Sequence, residues 1–262
     1  TQKFQGMVKR CADSGFDLSA GLVEVVPTAH YLMGGVVVDV DTRTSLQGLY
    51  VAGEDAGGAH GSNRLGGNGV ANSTVYGGIA GDVMGADALK MSALHDPDET
   101  VLEEELTRAL IPFSARPGNV QEFRTRLMNI MWDDVGVMRD AASIRRGIEK
   151  IAALKDEMET VGVAADNLAF NLSWHDWLNL QSLIDTSEVI AKAGLSRENS
   201  RGAHFREDFP DAGPFEQSYF TVAKSGDNGI EVSREAVKFT IVKPGESLLG
   251  VDEAKTLVGA AQ

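Results

Sequence analysis

The chain has 262 residues, and its 24 Lys+Arg against 38 Asp+Glu leave a formal net charge of −14. With 43% apolar and 24% charged residues it reads as a folded globular chain, large enough to bury a real core and not a disordered one. The acidic surplus argues against a nucleic-acid partner, the single Cys11 excludes an internal disulfide, the scattered histidines argue against a metal site, and no apolar run reaches the roughly 18 residues of a membrane helix.

Three compositional zones follow one another. Residues 1–85 hold 17 of the 29 Gly and read as strands, turns and close backbone approaches. Within them the spacing predicts a helix over 4–14 stopped by Gly15, strands at 36–40 and 48–53, and a glycine-rich loop at 57–69. A helix over 70–84 follows, with a face of Gly77, Gly78, Ala80 and Gly81 that predicts a very close neighbour, since glycine costs a helix roughly 1 kcal/mol against alanine.

Residues 86–196 are poor in glycine and read as helices at 98–110, 119–132, 138–161 and 168–193, the first ended by Pro112 and by Pro117-Gly118. Phe123, Leu127, Ile130 and Met131 share one helical face, and Ile144, Ile148, Ile151 and Leu154 another. With short connections these helices predict an antiparallel bundle, its core including Trp132, Trp174 and Trp177. The run Glu103-Glu104-Glu105 reads as a solvated face. In 197–262, alternation predicts strands at 217–222 and 237–242 around a turn at Asp227-Asn228-Gly229.

The unusual residues cluster early. Pro27-Thr28-Ala29-His30-Tyr31-Leu32-Met33-Gly34-Gly35 is followed by Gly48-Leu49-Tyr50-Val51-Ala52-Gly53-Glu54. Next comes His60-Gly61-Ser62-Asn63-Arg64-Leu65-Gly66-Gly67-Asn68-Gly69-Val70. Arginine offers a flat fork of donors that matches a carboxylate at two points, and histidine donates to a second carboxylate or a carbonyl. The unpaired amides that open a helix favour a negative or carbonyl oxygen. Together they describe a pocket for a small anion beside an oxygen-rich cofactor. His60 reads as a loop-positioning residue. For the charged stretch Ser200–Asp208, a ligand contact and a purely structural role stand even.

These three motifs, with Glu198-Asn199-Ser200-Arg201-Gly202-Ala203-His204-Phe205-Arg206-Glu207-Asp208-Phe209-Pro210, resemble the flavoprotein subunit of the succinate dehydrogenase and fumarate reductase family, which also includes L-aspartate oxidase. The family carries P-T-A-H-Y-T-M-G-G, G-L-[FY]-A-x-G-E, H-G-A-N-R-L-G and R-x-E-S-R-G-A-H in that order, so the likeness covers essentially the whole chain. It implies that His30 and Arg64 bind substrate, that Glu54 binds the FAD ribose, and that the N–H groups of Gly69 and Val70 face the flavin ring. It implies hydride transfer between FAD and a dicarboxylate, with the proton-moving arginine expected upstream of this chain. The departures are Leu32 for the usual threonine, Gly69 for the usual serine, and the missing G-x-G-x-x-G of a first dinucleotide-binding half.

The expected organisation is therefore a capping-region end at 1–26 and the C-terminal part of an α/β FAD-binding domain at 27–85. An α-helical bundle at 86–196 and a small α+β region at 197–262 complete it. The chain is expected to be a C-terminal fragment, inactive and free of flavin by itself. Its expected partners are a missing N-terminal half, an iron–sulfur or other electron-transfer subunit, and a dicarboxylate. The expected setting is cytoplasmic and reducing, peripheral to an inner membrane through partner subunits. L-aspartate oxidase activity of the intact protein, and a non-catalytic interaction module, are the alternatives.

Overall fold

A computed structural model describes residues 4–25, 30–93, 96–164, 167–227 and 229–246. Pro27, Thr28 and Ala29 of the first motif and Asn228 of the expected turn lie outside the described residues. The chain divides into two units, Thr1–Leu32 and Met33–Gln262. In the first, α1 spans Gln5–Asp13 and closes at Ser14 and left-handed Gly15, where the Phe16 N–H returns to the Cys11 carbonyl at 2.8 Å.

The second unit is mixed helix and sheet. Its helices are α2 (Asn68–Ala88), α3 (Glu99–Ser114), α4 (Val120–Asp133), α5 (Ala141–Met158) and α6 (Leu172–Ser196). Two short strands, β1 (Arg116–Pro117) and β2 (Val161–Gly162), pair in parallel, while β3 (Tyr219–Gly226) and β4 (Gly229–Ala236) form an antiparallel hairpin. Between Met33 and α2 the expected strands shrink to two isolated bridges, Val36 with Ala56 and Arg43 with Tyr50. A strand persists only where its amides and carbonyls find partners along its length, and here single contacts supply them.

The core lies in α4, α5 and α6. Phe123 and Leu127 of α4 meet Ile144, Ile151, Leu154 and Met158 of α5 and Trp177, Leu180, Ile184 and Ala191 of α6. Each large side chain buried there contributes roughly 1.5–3 kcal/mol, and among the described residues this is the buried apolar core. Side-chain caps start four helices: Asp98 on α3, Asn119 on α4, Asp140 on α5 and Asn171 on α6. Asp140 and Ser143 form a reciprocal capping box at 2.7 and 3.0 Å. Gly147 lets α5 close on the end of α4, because a Cβ there would stand 2.8 Å from Val135 Cγ2.

Several sequence expectations need correction. Trp177 is fully buried and Trp174 donates to the Ala109 carbonyl at 2.7 Å, but Trp132 is 59% exposed. Pro112 sits inside α3 instead of ending it, and its carbonyl accepts the Val163 N–H at 3.0 Å. The second hairpin strand is Gly229–Ala236, not 237–242. The pair Gly226–Gly229 leaves only two residues for the turn, so the returning strand must begin at once.

Candidate functional site

The second and third motifs, with the Met-Gly-Gly end of the first, converge in residues 33–73, largely through glycine. The Val36 N–H donates to the Asp55 carbonyl at 2.8 Å, and the Gly57 N–H returns to the Val36 carbonyl at 2.9 Å. Gly35, at φ +137°, permits this approach because any Cβ there would collide with the Asp55 carbonyl. The Gly-Gly of the first motif is thereby laid against the Glu54 turn of the second.

Glu54 stands on a single 3₁₀ turn, Gly53–Asp55, whose carboxylates face out. Asn72 of α2 donates its amide to the Gly53 carbonyl at 3.1 Å and is 7% exposed, a buried polar group satisfied by the turn it holds. Thus the second motif is tied to the third. The loop end is tied back in turn: the Arg64 N–H lies 3.2 Å from Met33 Sδ, and its guanidinium Nη1 donates to the Leu65 carbonyl at 3.3 Å.

Helix α2 opens at left-handed Gly67 without a side-chain cap, unlike α3 through α6. Its first-turn amides at Gly69 and Val70 therefore keep the positive end of the helix dipole clear of a capping side chain. Val70 is 78% exposed and Leu65 74%, so an apolar rim borders these donors. An uncapped helix start, apolar neighbours and an exposed carboxylate at Glu54 form a donor and acceptor set that fits a flavin with its ribose. The carbonyl-rich ring edge suits the amides, and the sugar hydroxyls suit the carboxylate.

Of the residues expected from sequence, Glu54, Arg64, Gly69 and Val70 all lie in the second unit, on connected turns around the start of α2. His30 lies in the first unit, three residues before Met33 in the chain. Among the described residues no group of three or more His, Cys, Asp or Glu could hold a metal, and no helix is long and apolar enough to cross a membrane.

Sequence reasoning missed three supports. Asn72 was legible as a polar residue on a small, apolar helix. Met33 gave no signal beyond its motif. The third is a charge cluster that anchors the 41–50 segment to the far end of α2. In it Asp87 accepts from Tyr50 at 2.8 Å and from Arg43 at 2.9 and 3.1 Å, while Arg43 also reaches Asp41 at 2.5 Å. The hydrogen bond from Tyr50, then those from Lys90 and Arg43, holds the Asp87 carboxyl far below the usual carboxylate range.

In the stretch 200–208 the guanidiniums of Arg201 and Arg206 both bond within the protein. Arg206 is 1% exposed and spends its guanidinium on the carbonyls of Gly194, Leu195 and Arg197 and on both oxygens of Asp208. Those carbonyls belong to the end of α6, where the helix dipole is negative. Arg201 donates to the carbonyls of Ala212 and Pro214 and to Ser218 Oγ, with its plane over the Phe215 ring.

Comparison with known proteins finds relatives over most of the chain. Residues 2–70 match the FAD binding domain family and residues 124–248 the fumarate reductase flavoprotein C-terminal family. The chain is 37% identical over 215 residues to a fumarate reductase (CoM/CoB) chain of Methanothermobacter marburgensis, covering 81% of this chain and 38% of that protein. It is 34% identical over 217 residues to L-aspartate oxidase 1 of Ralstonia nicotianae, covering 81% and 38% respectively. Among solved structures, Mycobacterium smegmatis Sdh1 in complex with UQ1 matches at a TM-score of 0.79 and 30% identity, over 98% of this chain and 43% of that one. The chain thus spans about two fifths of the length of these relatives. On the motifs, the fold and these likenesses together, the chain belongs to the succinate dehydrogenase/fumarate reductase flavoprotein family, whose cofactor is FAD.

Proposed function

We propose that this chain supplies the substrate-anchoring loop and the flavin-facing helix start of an FAD-dependent oxidoreductase that moves hydride between flavin and a dicarboxylate of the succinate/fumarate kind. The observation that supports this best is the convergence of the motifs in the second unit: Gly35 on Asp55, Asn72 on Gly53, Met33 on Arg64. When bound, the flavin supplies the two-electron chemistry. The chain's own residues bind and orient. Arg64 takes one carboxylate in a two-point grip, and a substrate-binding role for His30 is proposed on its motif alone. The amides of Gly69 and Val70 set the ring edge, and Glu54 accepts from the ribose. No residue of this chain is assigned the proton transfer. Such a site works by holding the reacting carbons against the ring in one orientation, the contribution that proximity makes to a bimolecular step.

Electrons would enter or leave through a partner electron-transfer subunit of iron–sulfur type, with any membrane association made through partners. L-aspartate is the second candidate substrate, favoured by the Ralstonia nicotianae relative at 34% identity. It is a diacid of the same span with an added amine. The test uses the flavin-loaded protein that contains this chain. Fumarate is expected to reoxidise its reduced flavin, and succinate to reduce the oxidised one. Flavin reduction by L-aspartate alone would select the second candidate. A flavin indifferent to all three would end the proposal.

A further inference from the structure

The backbone of the arginine loop is clamped from the other end of the chain. The Ala203 N–H donates to the Ser62 carbonyl at 3.0 Å, two residues before Arg64. Gly202 lies so close that a Cβ on it would sit 2.5 Å from the Ser62 carbonyl oxygen and 2.6 Å from Ser62 Oγ. Its φ of +56° is one that glycine adopts freely.

The clamp is itself rigid. Arg201 and His204 close on each other through two backbone hydrogen bonds, 2.8 and 3.0 Å. His204 Nδ1 accepts from Arg139 Nη2 at 2.7 Å, and its Nε2–H donates to the Arg197 carbonyl at 3.2 Å. Arg201 is fixed to the residues that lead into β3, as described above. The turn is therefore fastened to α6 and the start of α5, the elements that carry the buried core, and to the residues that lead into the hairpin.

We propose that the turn Arg201–His204, through Gly202 and Ala203, is a positioning element for Arg64: it transmits the rigidity of the helical core to the loop that carries the guanidinium. The proposal deepens the functional reading above and rests on it for the role of Arg64, but the coupling itself does not. A guanidinium that must meet a carboxylate at two points loses affinity when its backbone wanders by a fraction of an ångström, and a glycine-rich loop wanders unless something holds it.

The test is Gly202→Ala, with Gly213→Ala as the matched control. Gly213 also has a left-handed φ, +67°, and lies in the same connection, but its added Cβ would meet only Arg201 Nη2, at an ordinary 3.8 Å. Hydrogen exchange on the full chain is expected to quicken about tenfold in the amides of 60–69 for G202A, and not for G213A. In the flavin-loaded protein, G202A is expected to weaken binding of malonate, a non-reacting dicarboxylate, about tenfold, with FAD content unchanged. Equal exchange in G202A and wild type, or equal quickening in G202A and G213A, overturns the proposal. Should G202A fail to fold, H204A is the substitute: it removes the hydrogen bonds that fasten the turn to Arg139 and Arg197 and is expected to quicken the same amides about threefold, and no change there overturns the proposal as well. A wild-type protein that does not bind malonate would instead overturn the dicarboxylate reading of Arg64, while exchange still decides the clamp.

Discussion

His204 shows how one side chain's protonation state follows from its neighbours. Burial, then the Arg139 guanidinium, pulls its pKa from 6.5 down to about 4; the hydrogen bond to the Arg197 carbonyl opposes this, and the charges of Arg197 and Arg206 add to the lowering. The ring must be neutral to accept from Arg139 at Nδ1. Because the folded pKa is depressed, the unfolded chain takes up the proton first. The stability carried by the neutral ring is therefore complete above about pH 6.5 and is lost as pH falls from there toward 4. With solvent screening at a partly exposed ring, the loss is on the order of 1–2 kcal/mol. H204Q keeps a neutral polar group, so the stability difference between it and wild type, measured by denaturant titration at pH 7.5 and 4.5, should shift in favour of the variant at the lower pH. A difference that is the same at both pH values contradicts the assignment. The types of residue in this stretch were plain in the sequence, but their role was not. An arginine that grips a ligand and one that grips the last carbonyls of a helix carry the same guanidinium, and only the placement of Gly194, Leu195 and Arg197 around Arg206 separates the two.

At the scale of elements, the legible parts were those with a strong local signal. The apolar spacing of α4 and α5 gave their faces, and the expected starts at Asp98 and Asn119 are the caps of α3 and α4, whereas Asp140 and Asn171 start α5 and α6 later than the expected 138 and 168. Removing the α5 cap by D140A should cost about 1 kcal/mol, as lost side-chain caps do, and is measured by the shift in denaturation midpoint. A midpoint unchanged within error would mean that tertiary packing alone sets the start of α5. The less legible parts depended on distant partners. The strands expected at 36–40 and 48–53 have the right β-branched and apolar residues but pair through single bridges. The glycine face of α2 predicted a close neighbour, yet among the described residues nothing lies within 4 Å of a Cβ placed on Gly77, Gly78, Gly81 or Gly85. In the hairpin, turn length overrode apolar alternation and moved the second strand to Gly229–Ala236. The site was legible as three motifs in order. Their mutual contacts were not, because Asn72 on Gly53 and Gly202 on Ser62 join residues that no local pattern relates.

At the scale of the molecule, the core and the site are built differently. The buried apolar cluster comes from residues 123–191, whereas α2, 21 residues long, buries only Asn72 and Ala80. The site therefore rests on hydrogen bonds and glycine contacts attached to a stable helical body, the arrangement in which local opening is easiest at the functional end. Hydrogen exchange should show amides of α5 and α6 protected on the order of 100-fold more than those of α2, and equal protection would contradict this division. A ligand that binds this end should narrow the gap, since binding stabilises the state that binds.

The central claim is that Arg64 holds a dicarboxylate against a flavin seated at the start of α2. The most direct measurement is the flavin absorption spectrum of the FAD-loaded protein during titration with malonate, for wild type and for R64A. A saturable spectral shift is expected in wild type and a midpoint about 100-fold higher in R64A, the loss of one charge-assisted two-point contact, with the flavin still bound. The same midpoint in both proteins, or no shift in wild type, would contradict it.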